Sequence, residues 1–459
     1  MIVCDDVLHW AETYDGLPFH ALLCDPPYHL TEITSMQRHG SLRFGESRTD
    51  EEKAYRRQDA RGFMGQRWDG VGADGQGIAF RPATWKALAA HLLPGAWGAC
   101  FASARGWHRL ACAIEDAGLI IQPSVFLWLY ASGFPKATRI PDERFEGHRY
   151  GGQVLKPAAE PLIMWQKPFS GSPRACITQT GAGALWVDGT RVPAAGETPA
   201  GSGHRESWRE MEGREDRQPW NGGNVTPAAG RWPPNFVMTH SHLPDAPCTP
   251  AQCPVAALDA QAGERASGGQ VRHTGTAPKT TAIWGHYDHG SSVEYHDGGN
   301  ASRFFPTFGW ADDVAERLAA AVPVHYAAKA SRRERDAGLE HYPSVYRDTA
   351  VSRATQVQGL EGTNGRGSHS GPGHNPHPTV KPLSLLTWLS QLLLPPAAYA
   401  PRRLLVPFAG SGSECISARL AGWEEVVGVE QDAAYVALAE ARLAHWLGLC
   451  AGGTEGKRC

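Results

Sequence analysis

The sequence predicts an α/β protein with a doubly wound sheet and long irregular loops. Segments with strand and helix patterns alternate near both ends of the 459-residue chain, which is typical of strands joined by helical crossovers. Between about 170 and 300 this periodicity vanishes, and glycine, proline, serine and charged residues dominate. With 52 Gly and 34 Pro in the chain, we expect long loops around the folded core.

The two end blocks account for most of the predicted secondary structure. The first block predicts a strand at 1–4, a helix, an apolar strand at 20–24, a polar loop at 31–80, helices at 84–93 and 107–117, and strands at 97–102 and 124–130. The last block predicts helices at 383–394, 413–421 and 433–447 and strands at 403–407 and 425–429, after a short strand at 324–327. The blocks are either two small domains or halves of one sheet separated by an insertion.

The charge, the N-terminus and the cysteine pattern exclude several classes of protein. Lys and Arg number 44 against 47 Asp and Glu, a formal net charge of −3, which excludes a uniformly basic nucleic-acid coat but allows a local basic groove. The N-terminus has no basic or apolar region of a signal peptide, and no apolar stretch is long enough to cross a bilayer. The 10 cysteines are scattered singly, so we expect reduced thiols in a cytoplasmic protein.

A glycine-containing turn in the last block predicts a nucleoside-binding site. Phe408-Ala409-Gly410-Ser411-Gly412 lies where a strand turns into a helix, and Glu430 ends the next strand 20 residues after Gly410. An acid at that point can accept hydrogen bonds from ribose hydroxyls. Cys415 stands where a dinucleotide fingerprint has its third glycine, which favours S-adenosylmethionine over NAD. The alternative is an ordinary tight turn with Glu430 in solvent.

The tetrapeptide Asp25-Pro26-Pro27-Tyr28 follows the second apolar strand of the first block. Its prolines remove two N–H donors and form a rigid turn with free carbonyls. An exocyclic amine could donate one hydrogen to Asp25 and the other to the Pro26 carbonyl, while Tyr28 stacks on its ring. Accepting both hydrogens would free the nitrogen lone pair to attack a sulfonium methyl. The alternative is a proline turn that ends a strand beside a chance aspartate.

Together the two motifs resemble the β class of DNA amino-methyltransferases, in which the catalytic motif precedes a target-recognition region and the cofactor motif comes last. The segment His377-Pro378-Thr379-Val380-Lys381-Pro382 resembles the family segment beside the methionine end of the cofactor. Three further stretches resemble phage and prophage members of that class: 62–70, 132–136 and 328–332. The resemblance covers the two end blocks and their flanks, and the middle only in patches.

The resemblance implies roles for individual residues. The catalytic residues would be Asp25, Pro26, Pro27 and Tyr28, and the cofactor-binding residues Asp6, Thr379, Lys381, Phe408, Gly410, Ser411, Gly412 and Glu430. Two positions depart from the family pattern. Asp5 replaces the usual glycine before Asp6, and Val406 replaces the usual aspartate of the cofactor strand. The second change removes a polar contact near the methionine end, which Lys381 and Thr379 could supply.

The resemblance also implies a fold and a domain plan. The end blocks would be halves of one doubly wound, circularly permuted Rossmann-like methyltransferase sheet with a loop-rich inserted target-recognition region. Residues 1–168 would form the catalytic half, 169–300 the irregular insert, and 301–459 one remaining core strand and the S-adenosylmethionine-binding half.

The implied function is methyl transfer from S-adenosylmethionine to the N6 amine of an adenine flipped out of double-stranded DNA. Aspartate rather than serine at the head of the tetrapeptide favours adenine by family resemblance, and cytosine N4 is the first alternative. An RNA or protein-glutamine target fits less well, and a DNA-binding module without methyl transfer is a further alternative, suggested by Val406. No membrane partner is expected, and the compartment would be the cytoplasm of a bacterial or phage-infected cell. Homodimer formation and a restriction endonuclease partner are left open.

Two weaker groups of residues complete the sequence-based predictions. His240, His242, Cys248 and Cys253 supply four zinc-competent side chains, but their spacing is not a common zinc pattern, and ordinary loop residues are the favoured interpretation. The basic run from Arg332 to Arg335 could contact DNA phosphates or form a solvated helix face.

Overall fold

A computed structural model describes a core that is formed mainly by the two ends of the chain. The described residues are 1–29, 69–70, 76–130, 136–155, 157–192, 231–239, 249–250, 253–266, 280–281, 285–286, 298–305, 307–308, 330, 332–344, 373–377 and 379–451. Most of the predicted loop at 31–80 and the strand predicted at 324–327 lie outside these residues.

Helices and strands alternate through the described part of the chain. The strands are β1 (Ile2–Cys4), β2 (Phe19–Cys24), β3 (Leu92–Phe101), β4 (Ile120–Ile121), β5 (Phe126–Leu129), β6 (Lys136–Arg139), β7 (Arg149–Gln153), β8 (Ala159–Gln166), β9 (Phe236–Thr239), β10 (Arg265–Ala266), β11 (Thr280–Thr281), β12 (Gly285–His286), β13 (Gly298–Gly299), β14 (Thr307–Phe308), β15 (Arg403–Pro407) and β16 (Glu425–Glu430). The α-helices are α1 (Val7–Thr13), α2 (Pro82–Ala90), α3 (Trp107–Asp116), α4 (Pro173–Thr180), α5 (Pro254–Ala262), α6 (Arg332–Asp336), α7 (Leu383–Leu392), α8 (Ser413–Leu420) and α9 (Ala433–Ala451). Short 3-10 helices cover Ile78–Phe80, Glu143–Phe145, Asp188–Thr190, Ala301–Phe304 and Ala397–Tyr399. None of these helices is long and apolar enough to cross a membrane.

One sheet joins the two ends of the chain. Its strand order is β1-β16-β15-β2-β3-β8-β5-β9-β14, with β4 paired to β8. The pairs from β1 to β3 are parallel, β8 is antiparallel to both of its main neighbours, and β9 is parallel to β5 and β14. Three two-stranded ribbons, β6-β7, β10-β13 and β11-β12, lie outside it. Because β15 and β16 lie between β1 and β2, the end blocks are halves of one sheet, as predicted.

Helices cover both faces of the parallel part of the sheet. Along β2, Ala21 and Leu23 belong to one apolar cluster with residues of α7, α8 and α9. The alternating residues Leu22 and Cys24 belong to a second cluster, with residues of α1, α2 and α3. This period-two division of buried side chains between two cores is the pattern of a doubly wound sheet.

The connections reverse direction between β15 and β2, which are parallel neighbours. From β15 the chain passes through α8 to β16 on one side, and from β2 it passes through α2 to β3 on the other. The carboxyl ends of β15 and β2 therefore border a topological switch point, which is where open α/β sheets bind ligands.

The structure corrects some boundaries and adds elements that the pattern did not predict. The helix expected at 84–93 ends at Ala90, because Leu92 already pairs with Phe19 at the start of β3. The strand β8 was not predicted, since its buried apolar run lacks the alternation of a half-exposed strand. In the predicted insert, β9 pairs with β5 and so extends the main sheet. The predicted strands at 403–407 and 425–429 and the helix from 107 are confirmed, within a residue at their ends.

Candidate active site

The tetrapeptide leaves the carboxyl end of β2 at the switch point and meets a lysine from the other end of the chain. The Lys381 ammonium donates to Asp25 Oδ2 at 2.5 Å and to the Tyr28 hydroxyl at 3.0 Å. Only 5% of the Lys381 side chain and 12% of the Asp25 side chain are exposed. Pro26 and Pro27 are buried between the two polar residues. The ion pair therefore fixes the tetrapeptide from a segment 356 positions away.

A second carboxylate, Glu160 of β8, completes this cluster. The Lys381 ammonium lies 3.5 Å from Glu160 Oε2, and the Tyr28 hydroxyl donates to the same oxygen at 3.4 Å. The ammonium also lies 4.8 Å from the centre of the Phe101 ring. Sequence reasoning missed Glu160, although a carboxylate at the start of an otherwise apolar strand was a signal that could have identified it.

Burial and the ion pair set the protonation of the cluster. Burial raises the pKa of Asp25, and the neighbouring Lys381 ammonium reduces that rise. Burial also lowers the pKa of Lys381, but the carboxylates of Asp25 and Glu160 outweigh it, so that the pKa is raised and the ammonium stays charged. Burial raises the pKa of Tyr28 well above its usual value, so the side chain remains a phenol. Asp25 Oδ1 is buried without a hydrogen-bond partner among the described residues, and it therefore offers an open acceptor.

The glycine turn follows β15 on the other side of the switch point. Gly410 and Gly412 have φ values of +52° and +78°, a region that side chains disfavour. A Cβ on Gly410 would lie 2.8 Å from His377 Nε2, and one on Gly412 would lie 2.9 Å from the Cβ of Ala439. Both glycines are therefore required by the backbone conformation and by close packing.

Glu430 binds the glycine turn directly. Its Oε2 accepts the Gly410 amide at 2.8 Å, and its Oε1 accepts the Asp432 amide at 2.9 Å. Burial raises the pKa of Glu430, against the lowering effect of these amides. A carboxylate has about four acceptor positions, so acceptor capacity remains for a hydroxyl donor of a ligand.

Asp6 lies at the same edge of the sheet as Glu430. Cys4 at the end of β1 is in register with Glu430 at the end of β16, and Asp6 follows two positions later. The Asp6 carboxylate caps α1 by accepting the Leu8 and His9 amides at 2.9 and 3.3 Å.

The segment from His377 to Lys381 connects the two loops. The His377 ring lies against Gly410, and its Nδ1 donates to the Thr379 carbonyl at 3.0 Å. Burial and Arg335 lower the pKa of His377 to about 3, so the ring is neutral and presents its unprotonated Nε2 to the glycine turn. At the other end of the segment, Lys381 reaches Asp25. Lys381 was expected at the cofactor, and the structure places its ammonium on the tetrapeptide.

Arg442 of α9 supports the glycine turn from behind and was not predicted. Its Nη1 donates to the Ser411 carbonyl and lies 3.0 Å from the hydroxyls of Ser411 and Ser413. The side chain is fully buried, and burial lowers its pKa to about 10. A single arginine within the mostly apolar helix α9 was the available sequence signal.

Two residues with strained backbone flank the switch point. Within the described residues, His29 and Phe408 are the only non-glycine residues with positive φ, at 47° and 63°. Each follows one of the two loop-bearing strands within a few residues, and such conformations cost about 1–3 kcal/mol and cluster at functional sites. His29 is held by its amide, which donates to Asp69 at 2.7 Å, and by a 3.0 Å contact of its Nδ1 with the Gly70 carbonyl.

Val406 and two residues of the basic run, Glu334 and Arg335, stabilise the fold. Val406 packs in the apolar cluster beneath α7 and α8, so its side chain supplies no polar contact. Glu334, in the run expected to be solvated or to contact phosphates, is buried and accepts the Leu383 amide. Arg335 donates to the His377 carbonyl. Those two residues therefore stabilise the segment that connects the loops, which corrects the expectation for them.

The zinc hypothesis concerns a region that is mostly outside the described residues. His240, His242 and Cys248 lie outside them, while Cys253 is buried at the start of α5. The described part of the chain contains no group of three or more side chains able to hold a metal ion.

No protein-family model matches the chain, and neither does any curated protein. Similar solved structures include M1.HpyAVI in complex with SAM, at 11% identity and a TM-score of 0.34, with 96% of this chain and 98% of that one covered. TTHA0409 from Thermus thermophilus, provisionally described as a DNA modification methylase and complexed with S-adenosyl-L-methionine, has 11% identity and a TM-score of 0.32, with 99% and 96% covered. The cytosine-N4-specific PvuII DNA methyltransferase has 10% identity and a TM-score of 0.34, with 98% and 90% covered.

Proposed function

We propose that this chain is an S-adenosylmethionine-dependent DNA methyltransferase that modifies the N6 amine of an adenine flipped out of the duplex. One observation carries the proposal. The acidic tetrapeptide and the glycine turn leave adjacent parallel strands at the switch point, and the segment from His377 to Lys381 touches both loops. A cofactor site and an amine-binding site are thereby brought to a common edge.

The residues around the glycine turn fit an adenosine-containing cofactor. Gly410 and Gly412 have positive φ values and let the turn pack closely on His377 and Ala439, which fixes the backbone that the cofactor would contact. Glu430 retains acceptor positions for ribose hydroxyls, and Asp6 lies at the same edge. Cys415, at the position of a third glycine, is buried in the core, which favours a nucleoside without a pyrophosphate.

The geometry of Asp25 suits the binding of an exocyclic amine. Lys381 occupies Oδ2, so an amine hydrogen would be accepted by the unpartnered Oδ1. The Pro26 carbonyl would accept the second hydrogen, and Tyr28 would stack on the base. With both hydrogens held, the nitrogen lone pair is directed at the methyl group, and no covalent bond to the protein is needed. When bound, S-adenosylmethionine supplies that electrophilic methyl group.

The same carboxylate can receive the proton that the amine loses. Asp25 Oδ1 would already hold this hydrogen in a hydrogen bond before the methyl group arrives. Burial raises the pKa of Asp25, which makes its carboxylate a stronger base than one in water. Lys381 stays charged throughout and keeps Asp25 in place.

The proposed partner is double-stranded DNA. A base inside the duplex cannot reach the tetrapeptide at the end of β2, so the enzyme would rotate the target nucleotide out of the stack. We assign target recognition to residues 169–300, between a catalytic half at 1–168 and a cofactor half at 301–459. The compartment we propose with this activity is the cytoplasm of a bacterial or phage-infected cell.

The base is tested by identifying the modified nucleoside. The protein is incubated with methyl-labelled S-adenosylmethionine and mixed-sequence double-stranded DNA, which is then digested to nucleosides. The proposal predicts label in N6-methyladenine. Label in N4-methylcytosine alone would overturn the choice of base, and cofactor binding without any labelled DNA would favour a DNA-binding module without methyl transfer.

A further inference from the structure

A buried glutamate beside the site has no role in the mechanism above. Glu414 lies in the first turn of α8, directly after the glycine turn, and only 5% of it is exposed. Its carboxylate forms no hydrogen bond or ion pair with another residue in the part of the chain that the structure describes. Its own backbone amide is the one hydrogen-bond donor given for it, and burying a carboxylate with so little compensation is costly, so a charge supplied by a ligand would explain its position.

The charges around Glu414 leave a negative surplus. Asp25, Lys381 and Arg442 all interact with it electrostatically. The two cations have other partners, since Lys381 binds Asp25 and Arg442 binds the glycine turn. Together with Glu160, the site contains three carboxylates for these two cations. These surroundings favour a ligand with a positive charge.

We propose that Glu414 binds the positive charge at the methionine end of the cofactor, either its sulfonium or its ammonium group. This inference rests on the proposed function. The glycine turn and Glu430 would hold the adenosine, so the methionine end must extend towards Asp25, where the methyl group is needed. Glu414 interacts electrostatically with Asp25 and lies two residues after the turn. It therefore provides a carboxylate in a region where Val406 faces the apolar core.

The inference predicts a dependence of cofactor affinity on pH. Burial, and then Asp25, raises the pKa of Glu414 to about 7, while Lys381 and Arg442 lower it. The nearby thiols of Cys24 and Cys415 have pKa values raised by burial and stay uncharged. A bound cation favours the carboxylate form. Affinity should therefore decrease as the pH falls below about 7, by up to about tenfold per pH unit.

Ligand selectivity tests the inference without relying on catalysis. Dissociation constants of S-adenosylmethionine, S-adenosylhomocysteine and methylthioadenosine are measured for the full chain and for Glu414→Gln, at pH 6 and pH 8. Methylthioadenosine has neither the sulfonium nor the ammonium group. The control variant Glu440→Gln removes a charge from an exposed position of α9. Thermal unfolding checks that each variant is folded.

We expect Glu414→Gln to weaken the binding of S-adenosylmethionine at least about tenfold more than that of methylthioadenosine. The substitution should also abolish the pH dependence of the affinity for S-adenosylmethionine. If Glu414→Gln weakens the binding of S-adenosylhomocysteine by the same factor, Glu414 binds the ammonium group, which both ligands carry. If the affinity for S-adenosylhomocysteine is unchanged, Glu414 binds the sulfonium, which that ligand lacks. Glu414→Asp, which keeps the charge, should retain part of the selectivity. Equal losses for all three ligands, or none, would overturn the role of Glu414. Failure of the unmutated chain to bind S-adenosylmethionine would instead overturn the proposed function, and this inference with it.

Discussion

Replacing Lys381 with methionine should move the acidic limb of the methyl-transfer pH profile to higher pH. In the proposed mechanism Asp25 must be ionised to accept the amine hydrogen. Burial raises the pKa of Asp25, and the Lys381 ammonium opposes that rise. Methionine has a similar length but no charge. The variant should therefore need a higher pH to ionise Asp25.

The size of the shift follows from the contact. The ammonium lies 2.5 Å from Asp25 Oδ2, and 5% of the lysine side chain is exposed, so solvent screens the pair weakly. An opposite charge at such distances shifts a carboxyl pKa by about 1–3 units. At about 1.4 kcal/mol per unit, the lost stabilisation of the carboxylate is about 1.4–4 kcal/mol. At pH values below the raised pKa of Asp25 in the variant, the rate should fall about tenfold for each unit by which the pH is lowered.

The assay is the single-turnover rate of label transfer to DNA between pH 5 and pH 9, at saturating cofactor. Glu160→Gln is the matched variant, because Glu160 contributes to the raised pKa of Asp25. Removing that charge should move the acidic limb to lower pH, opposite to the effect of Lys381→Met. Lys381→Arg retains a positive charge, so its acidic limb should lie between those of the unmutated chain and Lys381→Met.

An unchanged limb in Lys381→Met would refute the argument that Lys381 sets the ionisation of Asp25. Shifts of the same sign in Lys381→Met and Glu160→Gln would refute it equally, since the two changes alter the local charge in opposite directions. A loss of rate at every pH with no movement of the limb would indicate that Lys381 only maintains the structure.

Three further substitutions test the glycine turn and its supports. Gly410→Ala should weaken cofactor binding and lower stability by about 1–2 kcal/mol, because its φ is +52° and the new Cβ would press on His377. Its control, Gly448→Ala at an open position of α9, should raise stability by up to about 1 kcal/mol in denaturant unfolding. Arg442→Met should lower the free energy of unfolding by about 3 kcal/mol, because the Ser411 carbonyl loses its donor. It should also weaken cofactor binding, as measured by titration calorimetry. Val406→Asp should lower the melting temperature without improving cofactor affinity, because its carboxylate would be buried in an apolar cluster. A stable Val406→Asp with tighter cofactor binding would contradict that assignment.

The sequence predicts the fold well where local pattern decides it. The apolar strands β2, β15 and β16 and their crossover helices have strong periodicity, so the doubly wound sheet follows from them. Boundaries depend on distant partners instead. The helix predicted to reach residue 93 ends early because Phe19 pairs with Leu92, a contact between distant parts of the chain.

The residues of the candidate site divide in the same way, into those that local sequence predicts and those that depend on distant contacts. Asp25 and the glycine turn could be identified because their residues are consecutive and have restricted backbone geometry. Glu160 and Arg442 could not, since their roles arise only when the sheet brings separate segments together. Lys381 could be identified as a site residue, but the contact that it makes with Asp25, 356 positions away, follows from the topology.

The most direct test of the central claim compares the unmutated chain with Asp25→Ala in the presence of labelled S-adenosylmethionine and double-stranded DNA. The control is Asp15→Ala, an exposed residue before β2, at the opposite end of that strand from Asp25. We predict that Asp25→Ala still binds the cofactor but transfers no label to adenine, while the control transfers normally. Retained transfer by Asp25→Ala would contradict the assignment of Asp25 as the residue that holds the target amine.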